Sequence, residues 1–254
     1  MSAQEIHKSE YDSFFWLHIK KSAGISTRKL LQPHYVEVVR GKKPQNFIQS
    51  DRSQYNDILN NFRVVLGEYQ FKRALFAKKF LYKEQWDNIY SFAFAREPVD
   101  RCVSMFFYLF YGKDLSLPRK IYNTYRNIRT YGKPLNSLTG QFDLFLDLVQ
   151  QAHEDRTSIY IPRGLHFTTH TASVFDDVTD TEGKVLLTEI FKLENLLMGV
   201  KRAHEACGLP MNNPEVDVRS NRGKNKKEFS PSVEQRRKIE SIFYKDFELY
   251  ENAN

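Results

Sequence analysis

Short apolar and aromatic runs recur along the chain and predict β-strands. The strongest are Ser13–Ile19 (SFFWLHI) and Asn88–Ala95 (NIYSFAFA). Short runs rich in aromatic and β-branched residues, bounded by turn residues, are typical of strands. Weaker runs of this kind are Tyr35–Val39, Phe62–Leu66 and Val185–Phe191.

Segments with the spacing of amphipathic helices lie between these runs. The predicted helices are Ser26–Gln32, Lys72–Phe80, Val99–Tyr111, Gln141–Ala152, Glu194–Cys207 and a last one that opens at Ser230-Pro231-Ser232 and ends near Tyr250. Pro98 and Pro231 are expected in the first turn of their helices, where a missing N–H has no cost. The stretch His153–Asp180 has no clear period and is expected to be irregular.

Strands that alternate with helices predict βαβ units and a parallel sheet. The expected fold is an α/β three-layer sandwich with a central, mainly parallel sheet flanked by helices. Such sheets bind ligands at the carboxyl ends of their strands. A chain of 254 residues holds one sizeable core, so a single domain over 1–254 is expected, with a polar N-terminal segment (1–12) and a basic loop (212–229).

Composition and charge indicate which kinds of partner the protein could bind, but they do not distinguish between folds. The chain is 41% hydrophobic and 14% aromatic, as in globular proteins. Its formal net charge of +7 favours anionic partners: nucleic acid, an anionic membrane surface, an acidic polysaccharide or a phosphorylated small molecule. A protein with a mildly basic surface and no such partner would carry the same charge.

Three features bear on location. The two cysteines, Cys102 and Cys207, show neither metal-ligand spacing nor a disulfide pattern, which fits a reducing compartment. The polar start, with no apolar run before Phe14, predicts no secretory signal. The longest apolar stretch, around Val103–Tyr111, is too short to span a bilayer. We expect a cytoplasmic protein with no membrane span.

A loop of small residues follows the first predicted strand and opens the first helix. Small residues let backbone N–H groups approach a phosphate, and the helix adds unpaired donors and the positive end of its dipole. The candidate phosphate-binding residues here are Lys21, Ser22, Ala23, Gly24, Ile25, Ser26 and Thr27. The loop lacks the GxxxxGK[ST] pattern of a Walker A loop. An ordinary strand-to-helix turn with a serine cap is the alternative.

A second candidate anion site follows the strand Asn88–Ala95. Arg96 comes directly after this strand, and Ser104 lies eight residues later, about two helical turns into the next helix. A guanidinium and a hydroxyl can together hold a phosphate monoester. Alternatively, Arg96 caps the strand end and pairs with Glu97 or Asp100.

In order, spacing and strand–loop–helix context, the two segments resemble the sulfotransferases that use 3′-phosphoadenosine 5′-phosphosulfate (PAPS), in particular the carbohydrate-type branch. In that family the first loop reads roughly HIPKTAGTS and binds the 5′-phosphosulfate, and the second segment reads roughly RDPVERFxS and binds the 3′-phosphate. The match is close over His18–Ser26 and Phe92–Ser104. Phe191–Leu196 (FKLENL) and Phe243–Tyr250 (FYKDFELY) support it, whereas the middle of the chain is unmatched.

The resemblance implies a P-loop-like fold and sulfuryl transfer from PAPS to a hydroxyl acceptor, with adenosine 3′,5′-bisphosphate (PAP) as product and no metal. It places Lys21 at the bridging oxygen between phosphate and sulfate. Two departures stand out: Lys20 replaces a usual proline, which is expected to loosen the loop, and Ile25 replaces a usual threonine, which removes one hydroxyl. A sugar acceptor is favoured, with a lipid or a small phenol as alternatives, and Tyr108–Tyr131 is expected to help choose it.

The general base for the acceptor hydroxyl is expected to be Glu68, which follows Gly67 where related glycan sulfotransferases often have histidine. The alternative for Glu68 is a salt bridge with Lys72 or Arg73. His166 and His170 are reserve bases or acceptor contacts, and a metal site between them is disfavoured because they lack a helical glutamate partner.

Near the C-terminus, the basic loop carries Arg219, Ser220 and Arg222, which either close over the 3′-phosphate and adenine or form a solvated surface. Two rival functions remain: a nucleotide kinase-like enzyme, which would need a Walker A loop, and a non-catalytic binder of nucleic acid or acidic polysaccharide. The sulfotransferase interpretation predicts no nucleic-acid partner.

Overall fold

The computed structural model describes residues 9–38, 46–111, 137–154, 164–211 and 229–254. Its strands are β1 (Ser13–Leu17), β2 (Ile89–Ala95) and β3 (Glu189–Lys192). Its α-helices are α1 (Gly24–Leu31), α2 (Tyr55–Leu59), α3 (Arg73–Phe76), α4 (Pro98–Phe106), α5 (Leu138–Glu154), α6 (Gly164–Thr171), α7 (Val174–Val178), α8 (Leu196–Ala206) and α9 (Val233–Glu251). Helices α3 and α4 continue as π-helical turns over Ala77–Tyr82 and Phe107–Tyr111.

The described strands form one parallel sheet in the order β1-β2-β3. Leu17 lies opposite Ala93 and Phe94 opposite Phe191, so the carboxyl ends of the strands share one edge. Every residue of β2 is buried, as expected of a central strand covered on both faces. The predicted α/β class with a flanked parallel sheet is therefore confirmed.

Alternate residues of each strand point into two different cores. Trp16, Phe92 and Phe94 pack with α1 and α8 on one face of the sheet. Phe15 and Ala93 face the other side, where α2, α3 and α7 pack. Helix α8 comes close to the sheet at Gly199, where a Cβ atom would lie 2.7 Å from the Phe94 ring. A further helical cluster joins α4, α5, α6 and α9.

Among the described residues, two of the predicted strands do not form, and side chains satisfy the outer edge of β1 instead. The Asn56 amide accepts from the Trp16 N–H (3.1 Å) and donates to its carbonyl (2.9 Å). The Asn60 side chain accepts from the His18 N–H at 2.8 Å. The described part of Tyr35–Val39 and all of Phe62–Leu66 are irregular. Helix α2 thus takes the place of an additional strand.

Three smaller expectations were wrong. Residues within His153–Asp180 form α6 and α7, and the hydroxyl of Ser173 caps α7 by accepting from the Asp176 N–H. Strand β3 begins only at Glu189, and Val185 makes an isolated antiparallel bridge. Ser232 caps α9 in a capping box with Gln235, so Pro231 precedes the cap instead of opening the helix. The other predicted helices are confirmed, with α5 longer than expected.

Candidate active site

The two predicted anion-binding segments lie side by side. Strands β1 and β2 are parallel neighbours, so the loop after β1 and the turn after β2 leave the same edge of the sheet. Arg101 of α4 contacts the first loop directly, because its Nε donates to the Lys20 carbonyl at 3.3 Å. The topology therefore joins segments that are some 75 residues apart in sequence, from Lys21 to Arg96.

The loop after β1, residues 18–23, takes an uncommon backbone conformation. Lys21 and Ala23 both have positive φ, at 69° and 52°. Non-glycine residues rarely adopt this region, and they cluster there at functional sites. Ala23 caps α1 without a side-chain hydrogen bond. Among the described residues, the N–H groups of Gly24, Ile25 and Ser26 have neither an intrahelical partner nor a side-chain cap, whereas the Thr27 N–H donates to the Ala23 carbonyl. Free amides at the positive end of a helix are an anion-binding feature.

Ser22 carries an unsatisfied hydroxyl inside this loop. The residue is only 2% exposed, and its Oγ has no hydrogen-bond partner among the described residues. A buried, unpaired hydroxyl costs about 1–3 kcal/mol. A phosphate oxygen would accept from it, so the residues of the loop fit an anionic ligand.

The two hydroxyls in the first turn of α1 differ from each other. Ser26 is buried and makes no side-chain hydrogen bond within the described part of the chain. Thr27 donates its Oγ1 proton to the Ala23 carbonyl at 3.1 Å, so this donor is already used within α1. Ile25, where the family usually has threonine, is exposed.

Gly24 is required by the histidine beneath it. A Cβ atom at this position would lie 1.9 Å from Nε2 of His18, whose ring stacks on Trp16 at 5.1 Å between centroids. Burial, followed by the positive charges of Lys20 and Arg73, holds the pKa of His18 well below its ordinary value. A neutral imidazole therefore supports the start of α1.

Lys20, which replaces the family's usual proline, is buried and tied down. Its ammonium donates to the Asn60 carbonyl, and its own carbonyl accepts from Arg101. These contacts offset the loosening expected from the loss of the proline.

The predicted acceptor contacts, His166 and His170, belong to an aromatic cluster with Tyr108 and Phe62 that lies beside Lys21. The Lys21 ammonium is 4.0 Å from the centroid of the Tyr108 ring, and that ring stacks on His170 at 4.9 Å. The rings of His166 and His170 are 4.3 Å apart, and Phe62 packs edge-on against both.

His170 is neutral near physiological pH. Burial first, then the neighbouring His166, lowers its pKa from 6.5 to about 3. Its Nδ1 lies 2.7 Å from the His166 carbonyl. The His170 imidazole therefore carries no charge at this pH.

Glu68 lies in the short turn Gly67–Tyr69 and is exposed. It makes no ion pair or hydrogen bond with the described residues, whereas Lys72 binds Thr179 and the Asp180 carbonyl, and Arg73 binds Asp177. The salt bridge that was the alternative interpretation of Glu68 is therefore absent.

The segment after β2 is organised around a helix cap and a surface ion pair. The Glu97 carboxylate accepts from the backbone N–H groups of Val99 (3.1 Å) and Asp100 (2.6 Å), and Pro98 opens α4 as predicted. Arg96 Nη2 lies 3.0 Å from the Asp100 carboxylate, so the predicted alternative pairing forms here. Ser104 is buried and makes no side-chain hydrogen bond with the described part of the protein.

When the chain is compared with protein families, residues 4–252 match the sulfotransferase family. The chain belongs to this family. No curated protein and no solved structure matches it. The match covers nearly the whole chain and supports transfer of a sulfuryl group as its general chemistry.

Two buried ion pairs of this sulfotransferase were not predicted from the sequence. Arg73 pairs with Asp177, and Arg101 pairs with Asp246 at 3.3 Å. Burial lowers the pKa of Arg101 despite the opposing charge of Asp246. Both Arg101 and Asp246 stand in segments that resemble the family, but their contact spans 145 residues and has no local sequence signal.

Three predicted residues of the basic loop, Arg219, Ser220 and Arg222, lie outside the described residues of the sulfotransferase. Within the described ranges, no group of three or more His, Cys, Asp or Glu side chains could hold a metal ion. In the same ranges, no helix is both long and apolar enough to cross a bilayer.

Proposed function

We propose that this sulfotransferase moves a sulfuryl group from PAPS to a hydroxyl of a carbohydrate acceptor, and that the strand–loop–helix unit at β1 and α1 acts as a P-loop-like anion site. The observation that carries the proposal is the buried, unpaired Ser22 hydroxyl at the uncapped start of α1. The family match gives the class of reaction, and the loop gives the anionic part of the donor a matching site.

The donor-binding residues on this proposal fall into two groups. Ser22, Ser26 and the amides of Ala23, Gly24 and Ile25 serve the 5′-phosphate side. Thr27, which was also expected to bind this phosphate, already donates both its N–H and its hydroxyl to the Ala23 carbonyl. Arg96 and Ser104 serve the 3′-phosphate, with Arg219, Ser220 and Arg222 of the basic loop as further contacts. To reach that phosphate, Arg96 must exchange its present partner, Asp100, for the ligand.

Two residues carry the chemistry. When bound, PAPS supplies the sulfuryl group: the acceptor oxygen bonds to sulfur, the bond from sulfur to the 5′-phosphate oxygen breaks, and PAP leaves. Lys21 offsets the charge that develops on the departing oxygen, which stabilises the transition state more than the ground state. Glu68 accepts the proton of the acceptor hydroxyl. No metal is needed where an ammonium and amides supply the positive charge.

The acceptor side is proposed to include His166 and His170. The aromatic cluster, in which Tyr108 is exposed, Phe62 and His166 are partly buried and His170 is buried, offers apolar ring faces beside Lys21, which suit a sugar ring. We further propose a single domain over 1–254 and a cytoplasmic location, the latter supported by two free, buried cysteines, Cys102 and Cys207.

Thermal denaturation with PAP tests the donor assignment. At a ligand concentration of 100 Kd, binding to the folded state adds about 2.7 kcal/mol to the free energy of unfolding, so the melting temperature should rise clearly. Adenosine and a sulfated polysaccharide serve as controls. Stabilisation by the polysaccharide alone would favour a non-catalytic polyanion binder and would contradict the proposal.

A further inference from the structure

Arg101 lies behind the first loop and contacts three different parts of the chain. It is 3% exposed. Its Nε donates to the Lys20 carbonyl (3.3 Å), its Nη2 to the Ala172 carbonyl (2.6 Å) and its Nη1 to the Asp246 carboxylate (3.3 Å). One planar side chain therefore links the loop, the turn before α7 and the terminal helix α9.

Asp246 fixes the orientation of that guanidinium. Its carboxylate also accepts from the Ser173 hydroxyl at 2.6 Å and from the backbone N–H groups of Val174 and Phe175, each at 2.9 Å. Because the carboxylate is held at the start of α7, Arg101 has little freedom to turn away from Lys20.

Arg73 makes an equivalent contact with the loop carbonyl two residues earlier, that of His18. It is also 3% exposed and binds Asp177 through Nε (2.9 Å) and Nη2 (2.5 Å). Its remaining nitrogen, Nη1, donates to the His18 carbonyl at 3.3 Å. Each arginine thus uses a buried carboxylate as its anchor and a loop carbonyl as its target.

These contacts matter because an anion-binding loop must keep its carbonyl oxygens turned away from the bound anion. A carbonyl oxygen that faces a phosphate repels it, whereas an N–H group attracts it. The carbonyls of His18 and Lys20 are engaged by guanidinium groups and cannot turn toward a bound anion without breaking charge-assisted hydrogen bonds. The positive φ values of Lys21 and Ala23 also persist only where the surroundings hold them.

We propose that Arg73 and Arg101 are positioning residues for sulfuryl transfer, which hold the carbonyls of His18 and Lys20 so that the loop keeps its anion-binding conformation before the donor arrives. The inference rests on the proposed function, because it concerns the part of the loop assigned to the 5′-phosphate. It adds that α7 and α9, which are distant in sequence from the loop, influence donor binding because Asp177 and Asp246 hold the two arginines.

The test compares two ligands that differ only in the 5′-phosphate: PAP and adenosine 3′-monophosphate. Arg101→Lys keeps the charge opposite Asp246 but cannot reach three acceptors at once. We expect PAP affinity to fall about tenfold, the scale of one hydrogen bond to a charged group, while the affinity for adenosine 3′-monophosphate changes less than about twofold. Arg73→Lys should show the same selective loss.

Ile239→Ala is the matched control. Ile239 is fully buried in α9, so its truncation lowers the melting temperature without removing a hydrogen bond to the loop. Titrations are made well below the melting temperature of each variant. The control should bind both ligands as the wild type does.

The outcomes separate the inference from the function on which it rests. If the wild type binds PAP no better than adenosine 3′-monophosphate, the 5′-phosphate assignment fails and the inference falls with it. If the wild type prefers PAP and both arginine variants keep that preference, with only a lower melting temperature, the arginines are purely structural and the inference alone is overturned. Should Arg101→Lys not fold, Arg73→Lys decides the question.

Discussion

The two proposed anion-binding segments of this sulfotransferase are built in different ways. The loop after β1 is buried and held from several sides, with its carbonyls bound by Arg73 and Arg101. The segment after β2 presents Arg96, which pairs with Asp100, a side chain that is 67% exposed. The first is shaped before any ligand binds, whereas the second must give up an existing ion pair.

This difference leads us to expect that the two segments contribute differently to turnover and to donor affinity. Interactions held rigid by the fold contribute most where charge develops in a transition state, because no reorganisation is needed at that moment. Arg96 contributes affinity instead, and salt weakens that contribution because its partner Asp100 is 67% exposed, although Arg96 itself is only 18% exposed. We therefore expect turnover to depend on Lys21 in the first loop, whereas Arg96 should affect donor affinity with little effect on turnover.

The largest effect is expected for Lys21→Ala. Lys21 lies in the prearranged loop and is proposed to act on the departing oxygen, so turnover should fall about 10² to 10³-fold or more. The melting temperature should change little, because the side chain is only half-buried against Tyr108. Near-normal turnover by a folded Lys21→Ala protein would remove the reason to treat the first loop as catalytic.

A smaller loss, about a hundredfold in single-turnover transfer, is expected for Glu68→Gln. The change keeps the size of the side chain and removes its ability to accept a proton. PAP affinity and melting temperature should stay at wild-type values, because Glu68 is exposed and has no ion pair in the described structure. If transfer is retained, the base is to be sought at His166 or His170.

Acid sensitivity should distinguish the aromatic cluster around His170 from the segment after β2. The pKa of His170 is about 3 in the folded protein and 6.5 in the unfolded chain, where the residue is not buried. Only the unfolded chain therefore gains a proton at His170 as the pH falls through 6.5. Stability is therefore lost from about pH 6.5 downward, by about 2 kcal/mol at pH 5 from this residue. Chemical denaturation at pH 7.5 and pH 5 should show that His170→Phe removes this part of the loss.

Arg96→Ala, which removes the partner of the exposed Asp100, is the control for that measurement. The variant should retain the wild-type dependence of stability on pH. An unchanged acid response in His170→Phe would show that the aromatic cluster beside Lys21 is more hydrated than the structure indicates.

The smallest effects concern the surface pair itself. Arg96→Ala should weaken PAP binding about tenfold with little change in turnover at saturation, and Ser104→Ala less. Asp100→Asn should do the opposite and strengthen PAP binding by about two- to fivefold, because Arg96 no longer has to leave a charged partner. Titrations at two salt concentrations check both. Weaker binding by Asp100→Asn would mean that the pair positions Arg96 and does not compete for it.

Sequence reasoning was successful where a feature is local. The apolar runs at β1 and β2 and the prolines and glycines around them predict the parallel pair and the two loops. It was unsuccessful where distant side chains replace regular structure. The amides of Asn56 and Asn60 fill the edge of β1, so Phe62–Leu66 is not a strand although its apolar run has the right composition.

The same limit applies to the site. Lys21, Ser22 and Gly24 could be singled out because small residues before a helix have a direct physical meaning. The arginine–carboxylate pairs behind the loop could not, because a contact such as Arg101 with Asp246 depends on the packing of α4 against α9. Charged residues in amphipathic helices usually face solvent, and nothing in the local pattern marks these as buried.

Ser22→Ala tests the central claim most directly. That claim is that the Ser22 hydroxyl, which has no partner among the described residues, donates a hydrogen bond to a bound anion. Removing a buried hydroxyl that has no partner should leave the melting temperature of the free protein unchanged or raise it. The same change should lower PAP affinity about tenfold, because the ligand loses a charge-assisted hydrogen bond. A lower melting temperature together with unchanged PAP affinity would contradict the account.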